Sequence, residues 1–270
     1  TTLFRSECLA EDPTDAMARE RLGALLLGDD PVAFEHLHVS RTKLAERLLE
    51  AVESGSAVDE PAYVHMLTGR ILVEHQEWAL AARQLGLAVQ QHPGYADAHA
   101  YLGHALDQLG YREEARSHLL QATTLAPSSA VAHTFLGLHH DRWGDTMAAR
   151  VAYEIAYDLA PENPAICVEI GQTWAAEGRY VAAEIWLRQA ASLRPDDPAL
   201  WEVLARFYLD RNITSNNRAI EATERFLALV PDSAEAHDLR GWAALQTGRY
   251  RAAEMYLQRA IELDAELASA

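Results

Sequence analysis

Apolar residues in this chain recur at helical spacing and break off at regular intervals. Over residues 96–127, Leu102 and Leu106 lie four apart on one segment, and Ala115, Leu119 and Ala122 lie three or four apart on the next. That spacing gathers them on one face of a helix. Gly110 separates the two segments and Pro127 closes the second, as expected of residues that bend a chain or cannot extend a helix. The pattern predicts two amphipathic helices, joined by a glycine turn and stopped by a proline.

The same features return every 34 residues. Upstream they are Thr68-Gly69, Leu72, Gln76, Ala81, Leu85, Ala88 and Pro93. Downstream come Leu136-Gly137, His140, Gly144, Ala149, Tyr153, Ala156 and Pro161, then Ile170-Gly171, Trp174, Gly178, Ala183, Leu187, Ala190 and Pro195. A glycine inside a helix costs about 1 kcal/mol against alanine. Its return implies that a second helix backbone passes too close for a side chain, with the alanines at 81, 115, 149, 183 and 253 serving the same contact from the other side. A fixed period of this length marks an all-α array whose units must stack to bury their apolar faces.

The array divides the chain. Residues 1–15 read as the end of a preceding helix, with Cys8 at the small-residue place before Pro13. Residues 16–61 form a degenerate repeat around Leu22-Gly23 and Leu26, with about twelve extra residues inside 29–40. An extra turn is expected over 32–39, after Pro31 breaks the helix, and a second helix over 41–53. Regular units follow at 62–95, 96–129, 130–163 and 164–197. The unit at 198–233 has Ala205 in the glycine place and a two-residue insertion in a polar turn at 212–217. The last repeat and the C-terminal end occupy 234–270. The expectation is a segment of a longer chain.

With its period, its Leu-Gly pairs, the A-x3-F-like run and the closing proline, residues 62–267 resemble the tetratricopeptide repeat family. The family's tryptophan place holds His65, His99, His133, Cys167, Trp201 and His237, so one unit in six keeps that residue. The resemblance implies a right-handed α-solenoid of stacked antiparallel helix pairs. It also implies that the first helix of each unit lines a concave groove holding a peptide or helical segment of a partner. Counted from the glycine, the groove places carry Met66, Arg70, Tyr101, His104, Asp107, Phe135, Leu138, Asp141, Arg142, Glu169, Gln172, Glu202, Arg206, Asp238 and Trp242. The family's clamp for terminal carboxylates needs Lys and Asn where this chain has Met66, Arg70, Tyr101, Val131 and Phe135, so that specificity is set aside.

Charge narrows the choice of partner. The chain carries 23 Lys and Arg against 40 Asp and Glu, a formal charge of −17, and such a surface repels phosphate backbones. Nucleic acid is excluded as a direct ligand. The groove places hold nine acids (Glu74, Asp97, Asp107, Asp141, Glu169, Glu202, Asp210, Glu235 and Asp238) against Arg70, Arg142 and Arg206. A segment rich in Lys or Arg is therefore the expected partner, with apolar residues seated against Tyr101, Phe135 and Leu138.

Candidate chemistry is sparse. Nucleotide-binding, hydrolase and zinc-protease motifs are missing, and Cys8 and Cys167 are too few for a disulfide framework. Of the metal-like pairs, His36 with His38 and His139 with His140, adjacent histidines point apart on a helix, and His140 takes the aromatic core place. Histidines 65, 99, 133 and 237 are expected to be buried and hydrogen-bonded. The match to a glycosylation acceptor at Asn212-Ile213-Thr214 is read as accidental. No apolar run is long enough to span a membrane. The sequence thus points to a cytoplasmic interaction scaffold with no cofactor, metal or catalytic set, and with self-association allowed. The alternative is a sensor or substrate-recognition segment of a multidomain enzyme.

Overall fold

The computed structural model describes residues 33–34, 39–40, 61–210 and 216–264. The expectations for residues 1–32 and 41–60 and for the 212–214 acceptor lie outside these residues. Within the insertion, β1 (Ala33–Phe34) pairs antiparallel with β2 (Val39–Ser40), Phe34 opposite Val39. This antiparallel pair falls within the span where an extra turn is expected. Val39 is β-branched and Phe34 aromatic, types that favour a pleated pair over a helix.

Twelve helices follow among the described residues. The first six, in one compact unit, are α1 (Pro61–Glu74), α2 (Trp78–Gln91), α3 (Ala96–Gln108), α4 (Arg112–Leu125), α5 (Ala130–Arg142) and α6 (Thr146–Leu159). In the second unit are α7 (Pro164–Ala176), α8 (Tyr180–Leu193), α9 (Pro198–Asp210), α10 (Asn216–Leu229), α11 (Ala234–Gln246) and α12 (Tyr250–Leu263). Within each unit consecutive helices pair as hairpins. The second helix of one hairpin touches the first helix of the next, and first helices also touch one another, α1 with α3, α3 with α5, and α9 with α11. This is an all-α helical repeat fold.

The repeated glycines make room for side chains and not chiefly for backbone, which corrects the sequence expectation. A Cβ built on Gly137 would fall 2.4 Å from Tyr153 Cε1, and one on Gly69 would fall 2.4 Å from Leu85 Cγ. Gly103 meets Leu119, Gly171 meets Leu187 and Gly241 meets Leu257 in the same way, always sixteen residues on. Backbone comes close only second, as where Ala115 O would lie 3.0 Å from a Cβ on Gly103. Of the knobs, Leu85, Leu119, Tyr153 and Leu187 are buried, and Leu257 is partly buried. In the α9–α10 hairpin Ala205 holds the glycine place, and the register gives the knob place to the smaller Thr223, also buried. A larger hole residue is matched by a smaller knob residue.

Hairpin turns and starts are locally specified. Gly144 ends the α5 turn with φ +81°, the left-handed conformation that glycine adopts without strain. In the α1–α2 turn Gln76 takes the same place with φ +59°, the one non-glycine with positive φ among the described residues. Ser129, Asn163 and Ser233 cap α5, α7 and α11 by accepting from the backbone N–H of Ala132, Ala165 and Ala236. A longer tie joins successive hairpins. His99 Nε2 donates to Pro93 O at 3.0 Å, His133 Nε2 to Pro127 O at 3.0 Å, Trp201 Nε1 to Pro195 O at 2.9 Å and His237 Nε2 to Pro231 O at 2.9 Å. Imidazole and indole share that place because both supply a ring N–H six residues after the proline.

Candidate interaction face

On the first unit, the face built by α1, α3 and α5 presents a run of rings. His104 stacks on Phe135 with centroids 4.4 Å apart and planes 8° apart. Tyr101 meets the edge of Phe135 at 5.2 Å, and Trp78, from the start of α2, meets His104 edge-on at 5.7 Å. All four are partly buried, so each ring keeps one side for its neighbours and some surface for solvent. Burial is the main cause that lowers the His104 pKa to about 4, with nearby Asp107 opposing and Arg142 assisting. The imidazole is therefore neutral and stacks as an aromatic ring. Burial likewise raises the Tyr101 hydroxyl above its ordinary value, although Arg70 pulls the other way.

Beside the rings lies a buried carboxylate. Asp107 is 1% exposed. Its Oδ1 accepts from His139 Nδ1 and from Trp143 Nε1, each at 2.8 Å, and its Oδ2 pairs with Arg142 Nε at 3.0 Å. Arg142 also donates to Gln108, while the Arg112 guanidinium lies 5.0 Å from the Trp143 ring centroid. Three donors on one buried acid satisfy and neutralise it. Asp107 is thus part of the packing between α3 and α5 and not an open groove acid as expected. Met66 too is 5% exposed and belongs to the core around Leu72 and Leu85. The helix turns both side chains inward, a direction that an offset from glycine leaves unspecified.

The remaining first-unit residues lie nearer the surface. Arg70 pairs with Glu74 at 3.5 Å, Leu138 is partly buried and Asp141 is exposed. His139 is the buried histidine of its pair, whereas His140 is half-buried with its ring edge-on to His139 at 5.7 Å. The expectation that His140 fills the core is reversed. Among the described residues no cluster of three metal-ligating side chains occurs. Of the other histidines, His99 is 2% exposed, while His65, His133 and His237 are only partly buried.

In the second unit, Arg206 pairs with Glu202 at 2.9 Å and with Glu235 of α11. Beside it Asp238 has its pKa raised, chiefly by burial, against the opposing effects of a hydrogen bond from Trp242 and the charge of Arg206. Trp242 is 48% exposed, Gln172 is exposed and Glu169 is partly buried. Cys167 is buried, and burial pushes its thiol up to about 11, which keeps it protonated and unreactive.

Trp78, Gln108 and Trp143 shape the first-unit face without having been singled out from the sequence, and His139 was weighed there only as one of a metal-like pair. A signal existed. In a stacked array residue i lies near residues about one period on, and the partners here are 32, 34 and 36 apart: Asp107 with His139, Gln108 with Arg142, Asp107 with Trp143.

Sequence profiles described as Tetratricopeptide repeat match residues 96–129, 144–207 and 204–268. No curated protein matches the chain. Among solved structures, it is similar to a chain of the APC/C hetero-tetramer Cut9-Hcn1, with 18% identity, TM-score 0.66, and coverage of 97% of this chain and 49% of that one. This chain thus spans about half the length of that relative. It is similar also to PilW, a type IV pilus biogenesis factor, at 18% identity and TM-score 0.65, covering 74% of this chain and 92% of that one. YrrB, a TPR protein with an unusual peptide-binding site, aligns at 17% identity and TM-score 0.54, covering 68% and 94%. At such identities the likeness is one of fold.

Proposed function

Because this chain belongs to the tetratricopeptide repeat family, we propose that it is a non-catalytic scaffold whose first-helix face receives a peptide or helical segment of a partner protein. The ring run of Tyr101, His104 and Phe135 carries the reading, since half-buried aromatic rings supply apolar contact area at little entropic cost. The solved relative with a peptide-binding site supports the same class of role. Charge supports a basic partner, acting in the cytoplasm. With Asp107 neutralised internally, the attraction falls to Asp141 and Asp97 on the first unit, and to the groove-place acids Glu169, Glu202, Asp210, Glu235 and Asp238 on the second.

Peptides carrying Lys or Arg around one or two large apolar residues would test this by fluorescence anisotropy against the whole chain. The expected result is micromolar binding that Phe135→Ala weakens by tenfold or more at every salt concentration. Asp141→Asn should weaken it only at low salt, where an exposed charge is least screened. Binding indifferent to salt and to both substitutions would exclude this face as the receptor.

A further inference from the structure

Two exposed surfaces carry apolar side chains that the repeat does not demand. On α6, Met147, Val151 and Ile155 are 59%, 52% and 40% exposed, spaced four apart along one flank of the helix. The same places hold Glu113, Ser117 and Gln121 one period earlier. Hairpin packing therefore leaves them free to be polar. Leu159 is different, because Leu125, Leu193 and Leu229 recur in its place with similar exposure.

The second surface is on α8. Val181 and Ile185 are 77% and 61% exposed, where α10 has Asn217 and Glu221. Ile185 lines a cleft of about 520 Å³ shared by α8, α9 and α10, together with Trp201, Leu204 and Ala222. Arg188 and Arg218 line it too, and both are exposed. Arg218 pairs with Glu184, and Arg188 hydrogen-bonds the Tyr208 hydroxyl. A guanidinium has five N–H donors, so each keeps donors for a further acid.

We infer that α6 of one copy of this chain seats in the α8–α10 cleft of a second copy. The two surfaces are complementary in kind. The α6 stripe has Glu154 and Asp158 three residues after Val151 and Ile155, on the same flank, and both acids are exposed. They would meet Arg188 and Arg218 as Val151 and Ile155 cover Ile185 and Trp201. Exposed apolar residues rimmed by charge are the usual mark of a protein contact. This contact uses none of the residues of the proposed peptide face, so it stands or falls separately from it.

Sedimentation velocity on the whole chain, from about 1 µM to about 1 mM and at physiological salt to screen the net charge of −17, tests the inference. Wild type should associate as concentration rises. Val151→Asp and Ile185→Asp each change an exposed side chain, so circular dichroism should match wild type while association weakens by at least about tenfold. An equimolar mixture of the two variants should associate again, because one brings an intact α6 and the other an intact cleft. Phe135→Ala should behave as wild type. A wild type that stays monomeric throughout would overturn the inference and leave the cleft to a partner of another sequence. Variants that associate like wild type, or a mixture that fails to recover, would overturn it as well.

Discussion

His139 Nδ1 donates to Asp107 Oδ1 across 2.8 Å, and the two side chains are 3% and 2% exposed. They come from successive hairpins, so the bond ties α3 to α5 at a point that water does not reach. Removing the acid leaves the buried His139 Nδ1 without its partner and takes one contact each from Trp143 and Arg142. Asp107→Ala should destabilise the chain by about 3 kcal/mol, the scale for a buried ion pair that has lost one partner. Asp107→Asn, which keeps one acceptor oxygen, should cost less. Urea melts followed by circular dichroism would show the order, and equal midpoints for wild type and Asp107→Ala would contradict it.

The glycine sockets predict a size rule. Gly137→Ala places a methyl group where Tyr153 Cε1 would be 2.4 Å away, and should cost about 1–3 kcal/mol through overpacking. Gly137→Leu should cost more. If the socket argument holds, Tyr153→Ala combined with Gly137→Ala should be less destabilising than the sum of the single changes. Strict additivity in thermal or chemical melts would show that the two residues do not compete for space.

Turn residues obey a different rule. Gln76 has φ +59° where Gly144 has φ +81°, and a left-handed conformation strains a residue with a Cβ. Gln76→Gly should therefore stabilise the α1–α2 hairpin by up to about 1 kcal/mol. Gly144→Ala, with nothing within 4 Å of the added Cβ, should lose a similar amount by strain alone. Opposite shifts of the denaturation midpoint are the expected reading, and a Gln76→Gly loss would refute the strain account.

Acid should weaken the first unit through His104. Its folded pKa is lowered from 6.5 to about 4, mainly by burial, so the unfolded chain binds a proton that the folded chain refuses. Stability is full above about pH 6.5 and is lost as pH falls towards 4, by roughly 3 kcal/mol at most for a drop of that size. His118 and His140, also lowered by burial, act in the same direction. His104→Phe keeps a ring against Phe135 and should flatten the fall in melting temperature between pH 7 and pH 4.5. An unchanged slope would mean that His104 is not the group responsible.

Period, turn places and closing prolines were legible because each is set by the chain's own neighbours: a proline cannot continue a helix wherever it lies. Direction across hairpins was not. Asp107 and Asp141 sit at one offset from Gly103 and Gly137, yet Asp107 is buried and Asp141 exposed. The difference comes from what the next hairpin offers, namely His139, Arg142 and Trp143 around Asp107. Likewise His139 and His140 exchange roles because the acid waiting one period back faces the former. Local pattern fixes the helix, and cross-period chemistry decides which polar residues it hides.

The hydrogen bonds from His99, His133, Trp201 and His237 to the preceding proline carbonyls bear on how this array tolerates change. Each of these prolines lies two residues past the end of its helix, where no helical amide serves its carbonyl, and one ring N–H from the following hairpin does. Imidazole and indole serve alike, because each supplies a ring N–H. The junction between hairpins is thereby decoupled from the chemistry of the faces, and surface residues can be exchanged for a new partner without loosening the joint.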